Sequence, residues 1–171
     1  MKKIFDELTL DLKEFDNTSS LILTEDVLTF SSSVTIDLRK FQLFYLKKSI
    51  LFRVLQFEYM ESHASRHKFL EDNFISQAQF YNIRNQVNQL VADLSMFSPA
   101  RSVIQNVEFI KRLSLIDFYQ HFFNGIEDPF PALNALTSKF MNLIAMTYSI
   151  SLSPVKFAKL NLFLQVQLAR I

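Results

Sequence analysis

The sequence predicts a mainly α-helical protein, and three observations support this fold class. The 171 residues contain one glycine and four prolines, which leaves little material for the glycine-dependent turns of large sheet proteins. Apolar residues make up 49% of the chain and phenylalanine alone contributes 19, which is typical of a globular protein with a packed core. Most segments repeat apolar residues at the i, i+3, i+4, i+7 spacing of an amphipathic helix.

The N-terminal segment, residues 1–33, predicts one helix followed by a hairpin. Ile4, Phe5, Leu8, Leu12 and Phe15 line one face of a helix over residues 2–15. A turn signal at residues 16–20 precedes two β-branched runs over residues 21–30. A helix and a hairpin in this order are similar to the end of a winged helix, and we expect the chain to begin inside such a domain.

Residues 34–106 predict a complete winged helix-turn-helix. A long helix is expected over residues 37–59, followed by short and long helices over residues 64–72 and 76–94 with a tight break at residues 73–75. Residues 95–105, with a turn at Pro99, are expected to form a small β-hairpin wing.

Residues 107–171 predict the first helices of a helical regulation domain. Helices are expected over residues 107–123 (ending at Asn124 and Gly125), 132–149 and 155–171, the last opened by Ser153 and Pro154. The last helix is apolar almost all round. We expect a further part of a larger domain to cover Leu160, Phe163, Leu164 and Leu168.

The helix over residues 76–94 carries the pattern that indicates function. One stripe is apolar, and the opposite face is rich in side-chain amides but nearly uncharged. Asn and Gln can form paired hydrogen bonds with adenine in the major groove, and Arg with guanine. The pattern therefore indicates duplex DNA recognition. The alternative is an ordinary solvated helix of a bundle, and for Tyr81 and Arg84 a surface stacking pair.

Charge is distributed unevenly along the chain. Residues 1–38 hold three lysines and eight acidic residues, a net charge of −5, whereas residues 39–112 hold eleven basic and six acidic residues, a net charge of +5. The positive block coincides with the predicted helix-turn-helix, where phosphate contacts require a positive field.

Several other functions are not expected. The chain has no cysteine, and with one glycine it cannot form a glycine-rich phosphate loop. His63 and His67 have i, i+4 spacing but no evident third ligand, so we expect polar surface residues there rather than a metal site, and His121 is expected at the core edge. No nucleophile–base pair is evident. We expect neither an enzyme nor a bound cofactor.

No membrane or secretion signal is evident. Acidic residues interrupt the N-terminus before an apolar run develops, and the charge-poor stretch over residues 140–155 is too short and too polar to span a bilayer. We expect a cytoplasmic chain.

The order of these parts resembles the Mga/AtxA-like family of Gram-positive transcriptional regulators. The resemblance rests on residues 74–91, with Ser76, Phe80, Tyr81, Ile83 and Leu90 at the family's motif positions, and on residues 46–49, 107–123 and 128–131. It implies DNA-binding activators controlled by phosphorylatable histidines in a phosphotransferase-system regulation domain and by self-association. Ala158 stands where such regulators can carry that histidine, so phosphotransferase control through this position is not expected.

Two hypotheses follow from the sequence. In the first, the chain belongs to a DNA-binding regulator that acts as a homodimer, with helix 76–94 in the major groove and flanking cations on phosphates. In the second, it is a helical protein–protein interaction or dimerisation module without DNA binding of its own. The predicted DNA contacts of the first hypothesis are Ser76, Gln77, Gln79, Tyr81, Asn82, Arg84, Asn85, Arg66, Lys68 and Arg101.

Overall fold

The computed structural model describes residues 2–24, 27–31, 37–60, 65–96 and 106–170. Within these ranges the chain is mainly helical, as predicted, with one two-stranded antiparallel sheet. The elements in chain order are α1 (Lys2–Phe15), β1 (Ser20–Thr24), β2 (Val27–Ser31), α2 (Leu38–Lys48), α3 (Ile50–Met60), α4 (Arg66–Asp72), α5 (Gln77–Met96), α6 (Val107–Phe123), α7 (Pro131–Thr147) and α8 (Pro154–Ala169).

The described chain packs as two compact units, divided between Leu46 and Lys47 inside α2. The domain boundaries at 33/34 and 106/107 stay predictions. Within the second unit, α6 packs against α5.

The first unit contains the predicted helix and hairpin. Ser20 pairs with Ser31 and Thr24 with Val27 across the antiparallel ladder. Leu12 of α1 and Leu21 of β1 are buried where the helix packs on the first strand. The ring of Phe15 lies 5.1 Å from that of Phe41 in α2, so an aromatic cluster joins α2 to this unit.

The predicted long helix over residues 37–59 is two helices, and this prediction was wrong in that respect. α2 ends at Lys48 and α3 begins at Ile50, with Ser49 between them. The carbonyl of Ser49 accepts a hydrogen bond from the Arg53 amide, and the Arg53 Nε donates to the Lys47 carbonyl at 3.3 Å. Serine is a favourable residue before a helix, but without proline or glycine nearby the sequence pattern did not show the break.

In the second unit α3 packs on α5, α5 on α6, and α8 on both α6 and α7. The buried side chains that fill these contacts include Phe52, Val54, Leu55, Phe80, Val87, Val91, Leu115, Tyr119 and Val166. The unit therefore holds the helix-turn-helix against the helices that follow it.

A charged network ties three helices of this unit together. Glu108 of α6 accepts hydrogen bonds from Arg170 Nε at 2.9 Å and Arg112 Nε at 3.2 Å. Arg170, just after α8, also donates to the Tyr59 carbonyl at the end of α3 at 2.9 Å. Burial alone would raise the pKa of the Glu108 carboxyl, but the hydrogen bonds and charges of the two arginines outweigh it and lower that pKa.

Candidate nucleic-acid interface

The break between α4 and α5 is a Schellman motif, a C-terminal helix cap closed by two backbone hydrogen bonds. The amide of Ile75 donates to the Leu70 carbonyl and the amide of Phe74 donates to the Glu71 carbonyl, both at 3.1 Å. Phe74 has a φ of 52°, the left-handed conformation in which this motif usually places glycine. The tight break predicted at residues 73–75 is thus confirmed, with an aromatic residue at the position that glycine favours.

Helix α5 opens with a capping box formed by Ser76 and Gln79. The Gln79 amide donates to the Ser76 hydroxyl at 3.2 Å, and the Ser76 amide donates to the Gln79 side-chain oxygen at 2.8 Å. Both residues are exposed, as a DNA contact requires. However, the Gln79 oxygen is held by the cap, so its amide nitrogen is the group that points to other partners.

The predicted apolar stripe of α5 is the buried face of the helix. Phe80, Val87 and Val91 are each 0% exposed. The Phe80 ring packs edge-on against Phe57 of α3 and Phe69 of α4, with both centroid distances 5.8 Å. Since these contacts fix the rotation of α5 about its axis, the amide-rich face has to point away from α3 and α4.

The exposed face of α5 carries the predicted amides. Gln77, Asn82 and Asn85 are exposed. Within the described part of the chain, Asn82 and Asn85 make no hydrogen bond through their side chains, so both amides are available to a ligand. Gln86, one turn after Asn82, is exposed on the same side and was not among the predicted contacts, although its i+4 spacing from Asn82 was a signal for it.

Arg66, at the start of α4, lies against the aromatic residues of α5. Its guanidinium carbon is 5.5 Å from the Phe80 ring centroid and 5.8 Å from that of Tyr81. Its Nη1 donates to the Tyr81 hydroxyl at 3.2 Å. The structure therefore brings Arg66 and Tyr81 together at the N-terminal half of α5, with both side chains exposed. Lys68 of α4 is also exposed.

Arg84 is paired with an acidic residue of α3. Its Nε lies 2.8 Å from a carboxylate oxygen of Glu58, whose side chain is 13% exposed, whereas that of Arg84 is 37% exposed. The Tyr59 hydroxyl similarly donates to the Asn88 side-chain oxygen at 3.0 Å. The side of α5 nearest α3 is thus engaged by that helix. A base contact by Arg84, which remains a prediction, would require exchange of its ion pair.

Arg53 is a cation at the corner between α4 and α5 that the sequence pattern did not predict. It is exposed, and its Nη1 donates to the Asn73 side-chain oxygen at 3.2 Å, next to Phe74. Sequence spacing gives no signal for this position, because Arg53 belongs to α3 and reaches the break only through the packing of α3 on α5. The remaining predicted cation, Arg101, lies outside the described residues, as does His63. The wing predicted over residues 95–105 was wrong at its first two residues, since α5 extends to Met96, and its residues 97–105 lie outside the described part of the chain.

Comparison with known families identifies the segment that contains this surface. Residues 34–97 match the family model described as the Mga helix-turn-helix domain. This segment is Mga-like. No curated protein and no solved structure showed a significant match. The match covers the predicted helix-turn-helix and leaves residues 107–171 outside it.

In the Mga-like segment, α4 and α5 form the helix-turn-helix, and such units bind DNA with the second helix in the major groove. The match supports a helix-turn-helix of the DNA-binding type for residues 34–97. The exposed polar residues of α4 and α5 form one cluster on this segment. We call it the α5 surface, formed by Arg66, Lys68, Gln77, Gln79, Tyr81, Asn82, Asn85 and Gln86.

The region after the Mga-like segment contains a cleft of about 140 Å³ between α6, the connector before α7 and α8. Ala158 is at its wall, and Gln165, which is 2% exposed, donates to Asp128 at 3.1 Å. Among the described residues that line this cleft none is a histidine. Position 158 therefore offers no phosphorylatable side chain to the cleft.

The remaining histidines of the described chain lie at the surface. His67 is exposed and its Nδ1 is 3.3 Å from Glu71, one helical turn away. His121 is exposed beside Phe122 rather than at the core edge, where it had been expected. Within the described ranges, no three histidine or acidic side chains are grouped so that they could hold a metal ion, and no helix has the length and apolar character needed to cross a membrane.

Proposed function

We propose that the chain binds duplex DNA as part of a cytoplasmic transcription activator, with α5 as its recognition helix. The observation that carries the proposal is the exposed amide-rich face of α5, whose rotation is fixed by the buried Phe80, Val87 and Val91. On this surface Asn82 and Asn85 are positioned to read base edges, and Arg66 and Lys68 to contact flanking phosphates. The chain is then a binding protein rather than an enzyme, and it needs no cofactor.

The proposal is consistent with how the polar groups of α4 and α5 are used. The side chains of Asn82, Asn85 and Gln86 have no competing partner in the described chain. Two groups on the side of α5 nearest α3, Arg84 and Asn88, already contact that helix. Asn82, Asn85 and Gln86 lie within about one helical turn of one another, and side chains three and four residues apart lie on one side of a helix. Side chains arranged in this way can contact two or three neighbouring base pairs.

Base recognition by α5 can be tested with DNA selected by the protein itself. Duplexes enriched from a random library by the wild-type chain serve as probes in fluorescence anisotropy. The double variant Asn82→Ala, Asn85→Ala should lose about 1–3 kcal/mol of discrimination per base contact between enriched and random duplexes. Binding to random duplexes should change little, because phosphate contacts are kept.

The matched control replaces amides of the same type away from the α5 surface. Asn124 and Asn142 are both exposed, and the first follows α6 while the second lies in α7. Their replacement by alanine should leave discrimination intact. If the Asn82 and Asn85 variant discriminates as well as the wild type, α5 is not the recognition helix.

We also propose that the chain assembles as a homodimer through α7 and α8. These helices expose several large apolar side chains, and two apolar clefts, of about 270 and 280 Å³, meet at Phe140 and Leu164. A second copy is the occupant that a two-fold-symmetric regulator would require to contact two half-sites. The exposed apolar residues of α7 and α8 include Leu136, Phe140, Leu143, Met146, Leu160 and Leu168.

Light scattering tests the dimer and also separates it from the alternative function. Phe140→Glu should convert a dimer to a monomer and weaken DNA binding, because two half-sites are no longer linked. A wild-type chain that is dimeric at all salt concentrations but has no affinity for DNA would instead favour an interaction module, the second hypothesis. A wild-type monomer would exclude the dimer.

A further inference from the structure

At the corner between α4 and α5 the large apolar side chain of Phe74 is exposed to solvent. Phe74 is 96% exposed, the highest fraction among the large apolar side chains, and it is in the left-handed conformation. A left-handed residue at this helix-cap position favours glycine, because a Cβ is crowded there by the following carbonyl. For folding alone glycine would be favoured at position 74, because it adopts the left-handed conformation without strain and exposes no apolar side chain.

A cation lies at the same corner. Arg53 Nη1 is held at 3.2 Å by the side-chain oxygen of Asn73, the residue before Phe74. A second hydrogen bond, from Asn73 Nδ2 to the Phe69 carbonyl at 2.8 Å, orients that amide. The guanidinium of Arg53 is therefore held at the residue that precedes Phe74, although Arg53 comes from a different helix, and its remaining N–H groups can donate elsewhere.

We propose that Phe74 and Arg53 bind the sugar–phosphate backbone of duplex DNA at the edge of the groove that α5 enters. The ring of Phe74 packs on a deoxyribose and the guanidinium of Arg53 contacts the adjacent phosphate. The proposal deepens the proposed function and rests on it. Neither residue was identified by the sequence pattern.

Placement and chemistry both favour this partner. Phe74 precedes the start of α5 by three residues, and the N-terminal residues of a recognition helix lie closest to the bases. Groups just before that helix therefore approach the backbone on the rim of the groove. A deoxyribose next to a phosphate offers an apolar face beside an anion, which matches an exposed aromatic residue that follows directly on the residue holding a guanidinium. These contacts are independent of base sequence.

The test uses the full chain and a duplex of mixed sequence, because backbone contacts contribute to non-specific binding. Phe74→Gly should melt at a higher temperature than the wild type, since it relieves the left-handed strain, and yet bind the duplex at least about fivefold more weakly, the lower end for one aromatic contact with nucleic acid. The salt dependence of binding should stay unchanged. Arg53→Gln should instead reduce the salt slope by about one.

Ser149 provides the matched control. It is the other non-glycine residue with a positive φ in the described chain, 53°, and it follows α7 in the same hydrogen-bonding motif. Ser149→Gly should raise the melting temperature and leave DNA affinity unchanged. This variant separates relief of strain from loss of a contact.

The outcomes distinguish this inference from the proposed function. If Phe74→Gly binds the duplex as tightly as the wild type while the Asn82 and Asn85 variant loses discrimination, the corner contact is wrong and the recognition helix stands. If Phe74→Gly abolishes self-association without changing DNA affinity, Phe74 is a protein contact and the inference is wrong. If the wild type does not bind duplex DNA, both fail.

Discussion

Arg84 lies between two acceptors, the carboxylate of Glu58 in α3 and, in the proposed complex, a guanine. The ion pair is mostly shielded from solvent on the Glu58 side, so breaking it costs more than breaking a surface pair. Free in solution, the arginine is therefore held back from the outer face of α5. The contribution of Arg84 to recognition therefore depends on the free energy needed to break its ion pair with Glu58.

The variant Glu58→Gln tests this competition. It removes the negative charge that retains Arg84, so affinity for a guanine-containing target should rise by about 1 kcal/mol, the lower end for an arginine–guanine pair. Folding stability should fall, because the partly buried guanidinium loses its counter-charge. Anisotropy titration measures the first effect and urea denaturation the second.

The control is the same substitution in an Arg84→Gln background. If Arg84 is the group released, Glu58→Gln should no longer raise affinity there, and the two changes are non-additive. An equal gain in both backgrounds would mean that Glu58 acts by long-range repulsion of the DNA and not through Arg84.

At the scale of single elements, the helix-turn-helix is fixed by local chemistry at its corner and by packing along α5. The apolar stripe of α5 and the break before it depend on residues close together in the chain, and both were predicted from the sequence. The capping box of Ser76 and Gln79 is equally local but was not predicted. The break at Ser49 and the position of Arg53 were not predicted either, because they depend on how α3 lies against α5. Local patterns therefore predicted the helices and turns better than the contacts between them.

Ser76→Ala tests the cap of α5. Loss of the hydroxyl leaves the Gln79 amide without its acceptor, and removal of such a cap typically costs about 1 kcal/mol of folding free energy. The midpoint of urea denaturation should decrease accordingly.

The matched variant is Ser153→Ala at the start of α8. Its hydroxyl accepts from the Lys156 amide at 3.4 Å, a longer bond than that of Ser76, so the loss should be smaller. Equal losses in the two variants would show that the shorter hydrogen bond of Ser76 does not stabilise its helix more than that of Ser153.

At the scale of the whole chain, the described residues pack as two compact units. The second unit holds the α5 surface and is closed by the network of Glu108, Arg112 and Arg170, which joins α3, α6 and α8. The α5 surface is therefore supported by helices that lie beyond the Mga-like segment, at residues 107–170. We expect the helix-turn-helix to be less stable when α6–α8 are removed.

The network predicts a pH dependence of stability. The pKa of Glu108 is lower in the folded state than in the unfolded chain, so its stabilisation is present above the unfolded pKa and is lost as pH falls through the folded pKa. Glu108→Gln should lower the melting temperature at neutral pH and reduce its decrease between neutral and acid pH. Thermal denaturation followed by circular dichroism measures both.

Glu7→Gln is the control for this prediction. Glu7 lies in α1 and pairs with Lys3 at 3.8 Å with both side chains largely exposed, so its replacement should have little effect at any pH. If Glu108→Gln and wild type show the same acid dependence, other carboxyls determine it.

The sequence by itself determined the helical class, the hairpin near the N-terminus, the two helices of the helix-turn-helix and the face of α5 that is buried. These features follow from periodicity, caps and turns, which are properties of neighbouring residues. Tertiary structure decided which polar side chains of α5 stay exposed and which are engaged by α3, because Glu58 and Tyr59 reach α5 from about thirty positions earlier in the chain. It also decided that Arg53 contacts Asn73 at the corner, next to Phe74, since a contact between residues of two different helices leaves no trace in local spacing.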